Sequence, residues 1–456
     1  MIKKILFALI LIVPILTAHA QGLTADDIAR LQTVSSAVIS ADGQMVAYTV
    51  SVPADPYKEN KPASSHLYLY NVKTGQSLPF FTRGSVRNVS FRPGHQSVTF
   101  LAKMDGDGVT SLYEASLSGG EAQKVYAFET SISQYQWSAD GKKLAFIAAE
   151  PKKEEKEEGK LPYEPILYEQ NLTYARAYTM DWDKKEPQAI DIAGDFHDIQ
   201  WNPDGQRLAV AVAPTPLIDD EYMKQRVFIF NIDTPGKLMP VEHSGKLGKL
   251  AWSPGGEQLG FIAGADIHDP TDGRLFVVSA QGGKPKRLAS DFEGHFDGFE
   301  WADDKTIQFI ASEGLSSVLG TIPAGGGALK RLGNTGGLNF TGLGRATNGN
   351  LVLIANTTWF PDEAFLLTPD LKEPQRITVS NLWLADKKLG RQEAVAYKAR
   401  DGMEIQGVLI HPLDEEAGKA YPLITVVHGG PESHYDNGWL TYYSTVGQMG
   451  AAAGYR

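Results

Sequence analysis

The stretch WSADGKKLAF, residues 137–146, decides how most of this chain folds. Its centre, Ala-Asp-Gly, is a tight-turn sequence, because glycine accepts the positive φ that such turns need. Apolar residues then recur at every second position, as at Leu144 and Phe146, which is typical of a half-buried strand. The stretch is therefore predicted to carry the chain from a strand that ends at Trp137, through a turn, into a second strand.

Related stretches recur along the chain at intervals of 44 to 64 residues. They begin, besides Trp137, at Ile39, Phe91, Trp201, Trp252, Trp301 and, in a weaker form, Arg345. A second strand-and-turn stretch follows each copy, as in HLYLYNVKTGQ at residues 66–76. Two hairpins in roughly 50 residues make a four-stranded blade, and blades repeated at this period indicate a β-propeller.

The fold predicted for residues 21–380 is therefore an all-β, seven-bladed β-propeller, one blade for each copy. An alternative is a β-sandwich or barrel in which the turn spacing is fortuitous, and the number of good copies argues against it. The tryptophans that open the copies are expected to pack between blades rather than to bind a ligand.

The N-terminus, MIKKILFALILIVPILTAHA at residues 1–20, has the pattern of a secretory signal peptide. Lys3 and Lys4 precede an apolar run, and Ala-His-Ala closes it as a cleavage signal. The twelve apolar residues would span only about 18 Å as a helix, less than a bilayer core. We therefore expect a periplasmic or secreted protein that begins near Gln21; the alternative is an uncleaved membrane anchor.

The composition excludes several classes of protein. The formal net charge is −11 and there is no basic block, which argues against nucleic-acid binding. There is no cysteine, so disulfides, thiolate metal sites and a cysteine nucleophile are excluded. No H-E-x-x-H motif occurs, and no metal, cofactor or membrane contact after signal cleavage is expected. The sequence does not indicate an oligomeric state.

From residue 381 onward the pattern changes. The stretch 391–412 alternates on both sides of ARDG, which predicts a hairpin. The apolar run from Leu423 to Val427 predicts a strand buried on both faces, as in a parallel sheet. Helical spacing follows at residues 441–455, with Gly454 as its stop. Residues 381–456 are therefore predicted to begin an α/β domain.

The strand runs directly into His428-Gly429-Gly430-Pro431. In α/β-hydrolases the loop after the third strand supplies a backbone N–H to the oxyanion hole through such a glycine turn. Glycine suits this role, because a side chain would obstruct the approach of the substrate. A plain turn in an unrelated α/β protein is the alternative.

With its signal peptide, its propeller and this HGGP turn, the chain resembles the prolyl oligopeptidase family of serine peptidases. It is most similar to the branch of acylaminoacyl peptidases and secreted bacterial dipeptidyl peptidases, over nearly the whole mature chain. Other branches carry a tyrosine at the position of His428, whose hydroxyl helps to bind the oxyanion. The resemblance therefore implies a backbone donor here, the N–H of Gly430, with His428 as an orienting residue rather than a base.

The rest of the family's catalytic apparatus is not found. The resemblance implies a serine on a G-x-S-x-G elbow, followed by an aspartate and a histidine, and no G-x-S-x-G occurs in the chain. Ser433 and His434 are adjacent in a loop and are not expected to form a catalytic pair. We expect the serine, the acid and the base to lie beyond Arg456, and the chain alone to be inactive.

An acidic insertion, PLIDDEYMKQ at residues 216–225, precedes a strand of the fourth copy. In the dipeptidyl peptidases that the chain resembles, a propeller carboxylate can hold the ammonium group of the substrate, so Asp219, Asp220 and Glu221 are candidates. An exposed acidic turn is the alternative. The sequence thus favours a secreted serine peptidase acting on short peptides; the alternative function is a non-catalytic periplasmic binding propeller of the TolB type.

Overall fold

The computed structural model describes residues 21–456 except 152–167, 171, 235, 334 and 431–432. Seven four-stranded antiparallel sheets follow one another along the chain, each built from four consecutive strands. The first sheet packs against the seventh, so the sheets close into a ring. The predicted seven-bladed β-propeller is confirmed.

The strands of the seven blades are as follows. Blades 1 and 2 contain Thr33–Ile39 (β1), Met45–Val52 (β2), Ser64–Asn71 (β3), Gln76–Phe81 (β4), Val86–Phe91 (β5), Ser97–Ala102 (β6), Ser111–Ser116 (β7) and Gln123–Tyr126 (β8). Blades 3 and 4 contain Ile132–Trp137 (β9), Lys143–Ala149 (β10), Ala175–Asp181 (β11), Gln188–Ala189 (β12), Asp195–Trp201 (β13), Arg207–Ala213 (β14), Arg226–Asn231 (β15) and Met239–Pro240 (β16). Blades 5 to 7 contain Leu247–Trp252 (β17), Gln258–Ala263 (β18), Arg274–Ser279 (β19), Lys286–Arg287 (β20), His295–Asp303 (β21), Thr306–Glu313 (β22), Ser316–Pro323 (β23), Lys330–Arg331 (β24), Asn339–Arg345 (β25), Leu351–Thr357 (β26), Phe360–Leu367 (β27) and Gln375–Arg376 (β28).

Each repeated stretch forms the turn between the first and second strands of its blade. Trp137 packs with Leu101 and Leu112 of the preceding blade, so its predicted role between blades is confirmed. The prediction of a half-buried second strand is wrong: β10 and β14 are buried on both faces. Blades stack face to face, so a second strand has a neighbouring blade on either side.

The ring closes between blades 1 and 7 without a shared strand. Thr347, in the turn of the seventh repeat, donates its N–H to the carbonyl oxygen of Ala41 at 3.0 Å. Apolar side chains of both blades, including Val46 and Val352, form one buried cluster beside this turn. Hydrogen bonds between turns and apolar packing therefore join the two ends of the ring.

The chain leaves the propeller through a 3-10 helix at Leu382–Asp386. The predicted hairpin follows and is confirmed, with strands Gln392–Lys398 (β29) and Glu404–Ile410 (β30). The predicted helix is also confirmed at Gly447–Ala452; with the two short helices Ala25–Ala29 and Ile218–Met223 it is numbered in chain order α1, α2 and α3. Gly454, at φ +85°, ends α3 as predicted.

The prediction of a buried strand from Leu423 to Val427 is wrong for this structure. These residues are extended but belong to no sheet, and Leu423 and Val427 are 64% and 81% exposed. Among the described residues, the only backbone pairing of this segment is with Arg456, on either side of Leu423. Arg456 donates its N–H to Pro422 O at 2.9 Å, and Ile424 donates its N–H to Arg456 O at 2.8 Å. Two such bonds on either side of one residue are the pattern of a parallel ladder. The extended segment, the helix α3 and the chain at Arg456 therefore follow one another in the order of an α/β unit.

Residues 21–31 pack against the C-terminal segment rather than between blades. Leu23, Leu384 and Trp439 form a common buried cluster, and Asp27 of α1 pairs with Lys387 at 2.6 Å. The predicted domain boundaries at residues 20 and 380 stay predictions. The predicted signal peptide, residues 1–20, lies outside the described residues, and in the described part of the chain no helix has the length and apolar character to cross a bilayer.

Candidate active site

The glycine turn lies at the end of the extended segment 423–427. Gly430 has a φ of +135°, a conformation that only glycine adopts without strain. Its N–H has no hydrogen-bond acceptor within the part of the chain that the structure describes, and the residue is exposed. An oxyanion requires a backbone donor that is not already bound to an acceptor of the protein. Pro431, which completes the turn, lies outside the described residues.

His428 sits beside this turn with its ring held by local contacts. Its Nδ1 lies 3.1 Å from the carbonyl oxygen of Gly429, and the ring of Tyr435 meets it edge-on with centroids 6.1 Å apart. These contacts orient the ring, which is compatible with the orienting role expected from the sequence. That role stays a prediction.

Ser433 and His434 are not joined by a hydrogen bond among the described atoms. His434 instead faces Asp436, with Nε2 and Oδ1 3.5 Å apart. Asp436, followed by the charge of Asp297 from β21, raises the pKa of the His434 imidazole. His434 therefore belongs to an ionic cluster with the propeller and does not act on its neighbouring serine.

The three candidate carboxylates lie in or beside α2, in the loop between the second and third strands of blade 4. Asp219 is exposed. Asp220 is buried, pairs with Lys224 at 2.6 Å and accepts a hydrogen bond from Thr215 at 2.7 Å. The hydrogen bond from Lys224 is the main cause that lowers the pKa of the Asp220 carboxyl. Asp220 is thus already paired within the loop. Glu221 is the half-buried carboxylate of the three and remains the candidate for binding a ligand.

Glu221 lines a cavity of about 710 Å³, bounded mainly by the first strands of blades 3 to 6. Its Oε1 lies 3.9 Å from Nδ1 of His197, which lines the same cavity. Because every blade has the same strand order, loops between second and third strands lie on one face of the propeller. Leu315, in the corresponding loop of blade 6, contacts the C-terminal segment. Glu221 and the glycine turn are therefore on the same side of the propeller.

The wall of this cavity is polar and predominantly acidic. Asp198 accepts hydrogen bonds from the side chains of Gln134 and Gln200 at 2.7 and 2.8 Å, and burial raises the pKa of its carboxyl. Lys249 is paired with Glu300 at 2.7 Å. Because Lys249 pairs with Glu300 and burial disfavours the charged form of Asp198, Glu221 is the carboxylate of this wall that remains to attract a cationic group.

Sequence reasoning missed this cavity, although a signal was present. Polar residues occupy alternate positions of the first strands just before the repeated tryptophan, as Gln134 and Gln136 do before Trp137. In a half-exposed first strand such positions point away from the blade interface. Within the described ranges, no group of three or more histidine and carboxylate side chains is arranged to hold a metal ion.

A second, largely apolar cavity of about 670 Å³ lies between the hairpin and the extended segment. Val408 and Ile410 of β30 line one side, and Ile424 and Val426 line the other. The two elements thus run past each other without pairing.

Comparison with known proteins places this architecture among peptidases. No protein-family model matches the chain. The chain is 23% identical over 475 residues to the uncharacterized peptidase YuxL of Bacillus subtilis, covering 95% of this chain and 70% of that protein. It is 25% identical over 251 residues to dipeptidyl-peptidase 5 of Porphyromonas gingivalis, covering 54% and 36% of the two chains.

Solved structures show the same fold. The acylaminoacyl peptidase of Pyrococcus horikoshii superposes with a TM-score of 0.73 at 17% identity, over 94% of this chain and 65% of that one. The β-propeller domain of the trilobed protease of Pyrococcus furiosus, described as having an open velcro topology, superposes with a TM-score of 0.55 at 14% identity over 77% of this chain. The predicted resemblance to prolyl oligopeptidase-type peptidases is confirmed. The matches span about a third of the dipeptidyl-peptidase and about two thirds of the acylaminoacyl peptidase.

Proposed function

We propose that this chain supplies the propeller and the beginning of the hydrolase domain of a secreted or periplasmic serine peptidase that cleaves short peptides through an acyl-enzyme. The observation that carries the proposal is the N–H of Gly430, which has no acceptor among the described residues and whose φ only glycine adopts without strain, on the same face of the propeller as the cavity around Glu221. The similarity to peptidases over 95% of the chain supports it.

In this proposal Gly430 acts on the tetrahedral intermediate. Attack on the scissile carbonyl moves negative charge onto its oxygen, and the N–H of Gly430 donates to that oxyanion. One such donor contributes about 2.7–4 kcal/mol to lowering the barrier. The serine, the acid and the base would come from residues beyond Arg456, because none of the 456 residues forms a G-x-S-x-G elbow.

A serine-directed probe tests the reaction class. The product of the whole gene is expected to react with a fluorophosphonate and to hydrolyse short chromogenic peptides. Residues 21–456 alone are expected to do neither. A label on a serine within residues 21–456 would contradict the assignment of the nucleophile, and a whole gene product without label or hydrolysis would favour a binding propeller.

The cavity around Glu221 gives the proposal a substrate class: peptides with a free amino terminus. An ammonium group entering from the hydrolase side would meet Glu221 first and then the acidic wall formed with Asp198 and Glu300. Asp219 and Asp220 contribute less, since the former is exposed and the latter is paired with Lys224.

Glu221→Gln tests this class. The substitution keeps the size of the side chain and removes its charge, so KM for a peptide with a free amino terminus should rise about 10-fold or more. KM for the same peptide with an acetylated amino terminus should not change. Glu257→Gln, on a carboxylate that is 78% exposed on blade 5, is the matched control. Equal effects on the free and acetylated peptides would refute recognition of the ammonium group.

The location outside the cytoplasm rests on residues 1–20 alone. Amino-terminal sequencing of the protein purified from its native cells is expected to begin near Gln21. A start at Met1 would show that the segment is retained.

A further inference from the structure

The residues that follow the glycine turn are held by the propeller. We call residues 434–439 the docking segment. Within it, Asn437 donates its N–H to the carbonyl oxygen of Leu315 in blade 6 at 2.8 Å. Trp439 donates its N–H to Oδ1 of Asn356 in blade 7 at 3.0 Å, and this bond is buried. Two backbone donors of the docking segment are thus satisfied by two different blades.

The fit between the docking segment and blade 7 is close. A Cβ on Gly438 would overlap the side-chain amides of Asn356 and Asn339, so only glycine allows this approach. Asn356 is itself oriented, because its Nδ2 donates to Asp362 at 2.7 Å. On the opposite side, Gln392 of the hairpin donates to the carbonyl oxygen of Gly438 at 2.8 Å. The segment is therefore held between propeller and hairpin.

The docking segment is also joined to the glycine turn. Only residues 431–433 separate His434 from Gly430, and Tyr435 contacts the ring of His428. By contrast, the extended segment before the turn is exposed and, among the described residues, has no backbone pairing beyond Ile424. The glycine turn is therefore held by the docking segment that follows it rather than by the extended segment that precedes it.

We propose that blades 6 and 7 position the N–H of Gly430 by holding the docking segment, so that the propeller sets the geometry of the oxyanion donor as well as bounding the substrate cavity. The inference rests on the proposed function, since it assumes that Gly430 stabilises an oxyanion. Such donors act only when they are fixed before the charge develops, and a displacement of about 1 Å can cost roughly 100-fold in rate.

Charged groups make this docking dependent on pH. His434 and Asp436 of the docking segment face His295, Asp297 and Asp272 of the propeller: the rings of His434 and His295 lie 6.4 Å apart, and Nε2 of His295 is 3.8 Å from each of the latter carboxylates. The pKa of His434 is raised by Asp436 and Asp297, and burial raises the pKa of Asp297. Asp436 belongs to the docking segment itself, whereas Asp297 belongs to the propeller and faces His434 only when the segment is docked. The part of the shift that comes from Asp297 therefore makes docking weaken as pH rises through the pKa of His434.

The test uses the product of the whole gene with Gly438→Ala, which removes the close approach without touching the turn. We expect kcat to fall about 100-fold with KM within roughly 2-fold, because the cavity around Glu221 is unaffected. Asn356→Ala, which removes the acceptor of Trp439, should act in the same direction and keeps the test open if the first variant does not fold. Gly108→Ala, at a glycine with no atom near its Cβ position, is the control and should change neither constant.

His434→Gln supplies a readout that a structural role alone would not move. The ratio of wild-type to variant kcat should exceed one at pH 6 and approach one by pH 9. An active wild type whose kcat is unchanged by Gly438→Ala and Asn356→Ala would overturn the inference. An inactive wild type would instead refute the proposed function, so the two failures are distinguishable.

Discussion

Glu363 of blade 7 is completely buried, and its removal should loosen the exit of the chain from the propeller. Its carboxylate accepts hydrogen bonds from Arg376 at 2.9 Å, from Thr378 at 2.5 Å, and from the N–H and hydroxyl of Ser380 at 2.7 and 3.0 Å. Glu363→Ala would leave these donors without their acceptor. Breaking a buried charged pair costs about 3–5 kcal/mol. We expect the lower half of that range, because the Arg376 side chain is 28% exposed and can recover contacts with water.

Hydrogen exchange of the backbone amides of residues 376–381, measured by mass spectrometry, reports the loss of local stability in this exit segment. A cost of about 3–4 kcal/mol corresponds to opening that is more frequent by a factor of a few hundred. Glu313→Ala is the matched control, since Glu313 pairs with Arg331 while 43% exposed, and an exposed pair is worth at most about 1 kcal/mol. If Glu363→Ala accelerates exchange no more than the control, burial of this network does not stabilise the exit segment.

Two further predictions concern contacts that join the chain just before the first blade to the chain just after the seventh. Asn381 holds both backbone groups of Gln32, at 3.0 and 2.6 Å; Asn381→Ala should cost about 2 kcal/mol and lower the melting temperature, and an unchanged melt would contradict this. Burial opposes ionisation of Asp27, but hydrogen bonds from Lys387 and its other partners outweigh it and hold the pKa of Asp27 well below its usual range. The contribution of ionised Asp27 to the free energy of unfolding is complete above about pH 4 and is lost as pH falls below that value. The difference in melting temperature between wild type and Asp27→Asn should therefore shrink in acid.

The blades could be predicted because their signal is local. The turn at Asp140-Gly141 and the alternation after it specify a hairpin without reference to distant residues, and the same holds at each copy. The tryptophan between blades was also predictable, since a large apolar residue at a fixed place in each repeat must be covered by the next repeat. Burial of both faces of β10 could not be read from alternation alone, because it depends on the stacking of neighbouring blades.

The failure at Leu423–Val427 has a different cause. An apolar run reports that side chains favour burial, whereas a strand also requires a neighbouring backbone to bind its N–H and carbonyl groups. Among the described residues, only Arg456 offers such pairing. The docking of Trp439 onto Asn356 was equally invisible in the sequence, because it joins residues that are 83 positions apart and follows no repeat.

The first and second strands of a blade differ in burial, and this difference explains how the propeller combines stability with a polar cavity. The second strands, such as β14, are buried along almost their whole length and supply the apolar contacts between blades. The first strands alternate in burial: in β13 Ile199 and Trp201 are buried in the cluster between blades, and the less buried Asp198 and Gln200 line the cavity, which Trp201 also borders. Substitution on the cavity side removes little apolar contact between blades, so these positions can vary with the ligand. The same repeat that fixes the fold therefore leaves its inner polar positions available for recognition, and variants at these polar positions should alter substrate binding without unfolding the ring.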